Sequence, residues 1–143
     1  MFQETPKSLS DLRTAQDIYD YVKAKLLEQG RQSINTGNLY QCVYRSPDGC
    51  KCAAGWLIAD ERYTSDLEGC YASDPTVLSA IRDSIPYAVG IDPKFLRLLQ
   101  KAHDGDGDFD NVLPADYQGL EKNFKETIVS RLTLVAKAYV LKP

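Results

Sequence analysis

Apolar residues in the first thirty positions recur at the spacing of a helix. Ile18, Val22 and Leu26 lie four apart, Tyr21 and Leu27 widen the stripe, Thr14 with Asp17 three residues on has the form of an N-cap, and Gly30 offers a stop. This predicts a helix over 14–30. After "NTGN" the period changes to two: Tyr40, Cys42 and Tyr44 alternate with Gln41, Val43 and Arg45, before "SPDG" supplies proline, aspartate and glycine in type I turn order. A two-stranded hairpin is expected, with Cys50 and Cys52 alternating on its return strand. Beyond Cys52 the alternation stops. "CAAGWLIADERY" places Ala, Trp, Leu and Ile on both sides of any helix drawn through it, which predicts a short, almost fully buried helix. Gly55 within it costs about 1 kcal/mol relative to alanine, so another backbone is expected to pass close by.

The second half repeats one device. Asp74-Pro75 and Asp92-Pro93 each pair an N-cap with a proline at the first helical position. The first opens a helix carrying Val77, Leu78 and Ile81 towards Pro86. The second opens one in which Phe95, Leu96, Leu99 and Ala102 share a face, ending near His103 where "GDGD" makes continuation costly. Leu120, Phe124, Ile128, Leu132, Val135 and Tyr139 then trace a long amphipathic stripe after a start signal at Pro114–Asp116. The expected fold is mainly α (α+β): about five helices packed as one compact domain over 1–143, with a small two-stranded hairpin after the first helix.

Composition agrees with a folded chain. A length of 143 residues buries roughly two thirds of the unfolded surface, and 43% hydrophobic residues, 26% charged residues and nine tyrosines are those of a globular protein. The net charge of -3 gives no basic field, so nucleic acid is an unlikely partner. "MFQETPKSLS" lacks the charged and apolar regions of an export signal, and no run approaches the ~18 apolar residues of a membrane helix. These features predict a cytoplasmic protein with no membrane partner, reduced thiols and no cofactor.

Four chemistries are open to these residues. Cys52 at a helix start, with His103 as base and Asp104 as its charged neighbour, has the parts of a cysteine-dependent hydrolase or transferase, although no nucleophile signature surrounds them. Cys42, Cys50, Cys52 and His103 offer zinc ligands, with Cys70 also available, but without paired C-x₂₋₄-C spacing. Asp104, Asp106, Asp108 and Asp110 alternate like the first ligands of a calcium loop. Counted from Asp104, however, Phe109 and Ala115 stand where an EF-hand needs glycine and glutamate, and a solvated acidic loop accounts for them. Tyr44, Arg45, Lys51, Trp56 and Tyr63 gather the side-chain types enriched at interfaces around the hairpin, whose free edge also suits strand addition. The same edge allows a homo-oligomer.

Taken together, Cys42-Val43-Tyr44-Arg45, Asp48-Gly49, Lys51-Cys52-Ala53, Gly55, Leu57-Ile58, Asp60 and Tyr63, followed by Leu98-Leu99, Gln100 and His103-Asp104, resemble a group of uncharacterised small bacterial and phage proteins. The resemblance covers roughly residues 14–104. It implies a compact helical domain and a bacterial or phage origin, and brings no known activity. The chain departs from that pattern at Cys50, at Trp56 and in the Asp/Gly run after Asp104. The leading expectation is a non-enzymatic binding protein of phage or mobile-element type, acting on a host macromolecule or a small ligand. The cysteine enzyme stands second and a zinc-stabilised module third.

Overall fold

The computed structural model describes residues 8–30, 34–35, 41–46, 49–70, 72–85, 92–104 and 121–143, with side chains at all of these except 34, 35, 41, 42, 104 and 121–127. The described part is mainly helical, with four α-helices: α1 (Ala15–Gln29), α2 (Pro75–Ser84), α3 (Pro93–Asp104) and α4 (Glu121–Ala138).

Each described start signal operates as its chemistry dictates. The Thr14 hydroxyl accepts the Asp17 N–H at 3.1 Å, and the Asp17 carboxylate accepts the backbone N–H groups of Arg13 and Thr14, closing a capping box. Asp74 accepts from Thr76 N–H and Asp92 from Lys94 N–H, both at 2.9 Å. The Pro114–Asp116 signal and Leu120 lie outside the described residues, as does the side chain of Phe124.

The apolar faces of these helices form the core. α4 packs on both α3 and α1; Ile128, Leu132, Val135 and Ala136 meet Phe95, Leu96, Leu99 and Ala102 of α3 and Ile18, Val22 and Leu26 of α1 in one buried cluster. Tyr19 is fully buried on α1 as well, on the flank of the expected stripe. Two polar tethers hold the helices in register. Arg131, buried on α4, donates to the Ala102 carbonyl at 3.0 Å, and Gln16 on α1 both donates to and accepts from the backbone of Lys142. After α4, Val140 adopts φ 55° and is 93% exposed, while Leu141 N–H bonds back to the Ala136 carbonyl. That is a left-handed C-terminal cap on a β-branched residue, which the conformation disfavours.

The helix expected after Cys52 does not form among the described residues. Residues 52–63 are buried as predicted at Cys52, Ala53, Ala54, Gly55, Leu57 and Ile58, but they run through short 3₁₀ turns at Gly55–Leu57 and Asp60–Arg62, with a third at Ser65–Leu67. Tertiary partners take the backbone groups that a helix needs. Gln100 of α3 accepts Ala54 N–H at 3.0 Å, Ser84 of α2 accepts Ala59 N–H at 2.8 Å, and the Cys52 thiol sulfur accepts Gly55 N–H. The close approach expected at Gly55 is present: a Cβ there would overlap the Tyr44 carbonyl oxygen and lie 3.1 Å from its carbon.

The hairpin is also smaller than expected. A two-residue antiparallel pair joins β1 (Ile34–Asn35) to β2 (Gln41–Cys42), and only a single bridge, Arg45 with Lys51, spans the "SPDG" turn. The turn keeps its bonds, Gly49 N–H to Ser46 carbonyl at 3.0 Å and Ser46 N–H to Cys50 carbonyl at 2.9 Å, with Gly49 at φ 90°. The pairing stops after Cys52 N–H reaches the Tyr44 carbonyl, because the Cys52 carbonyl accepts from Trp56 and Tyr44 N–H turns to Glu68.

Gly55→Ala should therefore destabilise the fold by about 2–3 kcal/mol in urea unfolding, since two backbone segments must separate to admit one methyl group. Val140→Gly should instead stabilise it by about 1 kcal/mol, because it relieves the left-handed strain and gives up only an exposed side chain.

Candidate functional site

The single bridge presents its outward backbone groups to side chains. Lys51 N–H donates to the Gln29 side-chain oxygen at 2.7 Å, and the Gln29 amide donates back to the Lys51 carbonyl at 2.9 Å. On the opposite side, the Glu68 carboxylate accepts from Tyr44 N–H at 2.9 Å, Arg45 N–H at 3.2 Å and the Tyr63 hydroxyl at 2.6 Å. The edge expected to accept another strand is occupied at these groups, and strand addition across the bridge is blocked. What this segment offers to solvent is side chains.

Those side chains are held against one another. The Arg45 guanidinium lies 4.6 Å from the Tyr63 ring centroid, donates to the Ile58 carbonyl at 2.8 Å and pairs with Asp60 at 2.8 Å. Lys51 approaches the same Asp60 oxygen at 3.6 Å and sits 4.7 Å from the centroid of Trp56. Lys25, from α1, lies over the same indole at 5.5 Å and over Tyr21 at 5.6 Å. The indole N–H of Trp56 is buried and has no acceptor among the described residues. Asp60 is 79% exposed at its side chain, against 25% for Lys51 and 19% for Arg45, so the acid stands outermost and the cations lie partly beneath it.

Electrostatics follow this geometry. Lys51 and then Arg45 hold the Asp60 carboxyl below the usual carboxylate value, and its pairing is lost only as pH falls through that lowered value. Burial, reinforced by the hydrogen bond to Glu68, pushes the Tyr63 phenol up to about 12. This keeps Tyr63 a hydrogen-bond donor across the physiological range.

Of the five residues expected to bind, Arg45, Lys51 and Tyr63 join through shared contacts around Asp60 and Glu68, and Trp56 joins through Lys51. Tyr44 lies beneath them: it is buried, and its hydroxyl donates to the Cys70 carbonyl. Asp60, Glu68, Gln29 and Lys25 complete the cluster and were not singled out as site residues from the sequence.

The other candidate chemistries have different surroundings. Cys52 and His103 are both fully buried, and Cys52 precedes a 3₁₀ turn where a helix start was expected to activate it, so neither group is open to a substrate. Cys50 is buried, and Cys50, Cys52 and Cys70 form no disulfide. The side chains of Cys42 and Asp104, and all of Asp106, Asp108 and Asp110, lie outside the described residues. Among the described residues no group of three or more His, Cys, Asp or Glu side chains is placed to hold a metal ion, and no helix is long and apolar enough to cross a membrane. No protein-family description, curated protein or solved structure matches the chain.

Tyr63→Phe should lower stability by about 1 kcal/mol by removing the bond to Glu68. With a folded value near 12 and an ordinary value of 10.0, that difference from wild type is fully present below pH 10 and fades as pH rises through 12. Urea unfolding across this range, with ultraviolet titration showing one fewer late-titrating phenol, checks both parts.

Proposed function

We propose that the chain is a non-enzymatic binding protein whose contact surface is the face bearing Arg45, Lys51, Trp56, Asp60 and Tyr63. One observation carries this reading: these side chains are fixed to one another while the exposed Asp60 carboxylate and the partly exposed cations remain open to a partner. Fixed aromatic and arginine side chains lose little conformational entropy on association, which is why they dominate contact energies. The buried state of Cys52 and His103 gives no comparable support to a thiol chemistry.

The resemblance of the sequence pattern adds the biological setting. On that reading the protein is of bacterial phage or mobile-element type and acts in the cytoplasm on a host macromolecule or a small ligand. Tyr44 and Glu68 hold the surface from below, and the partner touches the side chains above them.

Capture of partners from bacterial lysate by the immobilised chain tests this surface. Lys51→Glu should reduce recovery of a specific partner by at least about tenfold, with the helical circular dichroism unchanged. Lys137→Glu, an exposed reversal on α4, should leave recovery intact. Equal recovery by wild type and both variants overturns the assignment of the surface.

A further inference from the structure

Val140 is ill suited to the cap that ends α4. A β-branched side chain adopts a φ of 55° only at a cost, and as an apolar residue it gains nothing there, because it is 93% exposed. Leu141, the next residue, turns inward and packs against the core. The firmly held part of the helix ends just before them. Tyr139 N–H bonds to the Val135 carbonyl, its ring meets Phe95 edge-on at 4.9 Å, and its hydroxyl donates to Asp92 at 3.2 Å. Beyond Tyr139, the Gln16 side chain accepts Lys142 N–H at 2.8 Å and donates to the Lys142 carbonyl at 3.0 Å, both at the surface.

The same backbone groups fit a second arrangement. In the cap, Val140 N–H bonds to the Lys137 carbonyl and Leu141 N–H to that of Ala136. In a continued α-helix each N–H reaches four residues back, so Val140 would take Ala136 and Leu141 would take Lys137. The two donors exchange acceptors and neither bond is lost. The side chains exchange as well. Residues four apart share a helix face, which puts Val140 in line with Leu132 and Ala136, both fully buried, and Leu141 in line with the exposed Lys137. Val140 therefore suits the helix and not the cap, and Leu141 suits the cap and not the helix. Pro143 stops the continuation at Leu141, because the residue before a proline disfavours helical backbone. Turning Val140 from φ 55° to a helical value of about −63° redirects the chain after it and breaks the bonds between Gln16 and Lys142.

We propose that residues 140–143 are a two-state strap hinged at Val140. In the closed state Leu141 is in, Val140 is out, and Gln16 clips Lys142 to α1. In the open state α4 continues through Leu141, Val140 lines up with the covered face of α4, and one backbone rotation presents Leu141 and the Gln16 side of α1 to solvent together. The strap does not depend on the contact surface proposed above.

Backbone carbon chemical shifts of Val140 and Leu141 test the strap, because left-handed, helical and disordered residues give separate values. Removing the clip with Gln16→Ala should raise the open population by about tenfold and move both residues towards helical values, with the shifts of Ile128 and Leu132 unchanged. Leu141→Ser, which removes the inward contact and leaves Gln16 in place, should move Val140 in the same direction. Adding Val140→Gly to Gln16→Ala should return Leu141 to its closed value, since glycine suits the left-handed cap and weakens the helix. Movement to disordered values in the Gln16 and Leu141 variants means fraying in place of a second state and overturns the proposal. Unchanged shifts in both variants, or helical values that persist once Val140→Gly is added, overturn it as well.

Discussion

The contact between Gly55 and the Tyr44 carbonyl sets the arrangement of everything around it. With no side chain at residue 55, the run after Cys52 can lie directly on the backbone of the bridge. That proximity turns Trp56 N–H back to the Cys52 carbonyl, stops the β-pairing after one bridge and brings the indole alongside Lys51. A larger residue would lift the 3₁₀ turns away from Tyr44. Gln100 and Ser84, which hold the same run to α3 and α2, would then lose their acceptor geometry too.

The elements legible in the sequence are those whose ends are chemically marked. Thr14, Asp74 and Asp92 cap the helices they were expected to cap, because an N-cap uses only residues two or three positions away. The 3₁₀ turns of the run 52–63 are not legible in its sequence, because its apolar pattern reports burial while its backbone conformation is decided by acceptors on α2 and α3, 25 and 46 residues distant. The hairpin was overextended for a related reason. Alternation at Tyr44 and Arg45 is real, yet the Tyr44 N–H that would extend the ladder turns to Glu68, more than twenty residues on.

The surface was legible by residue type and illegible by partnership. Arg45, Lys51, Trp56 and Tyr63 stand out as interface-prone side chains in one short stretch. Their supports do not: Gln29 and Lys25 sit on α1, and an exposed-looking glutamine or lysine on a helix has no sequence mark that tells it from a solvated one. Tyr44 shows the opposite ambiguity. A tyrosine beside an arginine reads equally as a contact or as a prop, and only the hydroxyl's bond to the Cys70 carbonyl places it as the prop.

The double hydrogen bond between Gln16 and the backbone of Lys142 has a meaning for biosynthesis. It joins residues 126 apart in sequence, and the α1 face that it borders is covered by α4. During translation the first helix emerges well before the residues that cover it, roughly 6–25 s earlier at ordinary elongation rates. For that interval Ile18, Val22 and Leu26 have no α4 to pack against. The nascent chain must carry this face of α1 without its α4 cover until α4 leaves the ribosome, so its exposure to chaperones and to aggregation is set by the distance along the chain between the two helices.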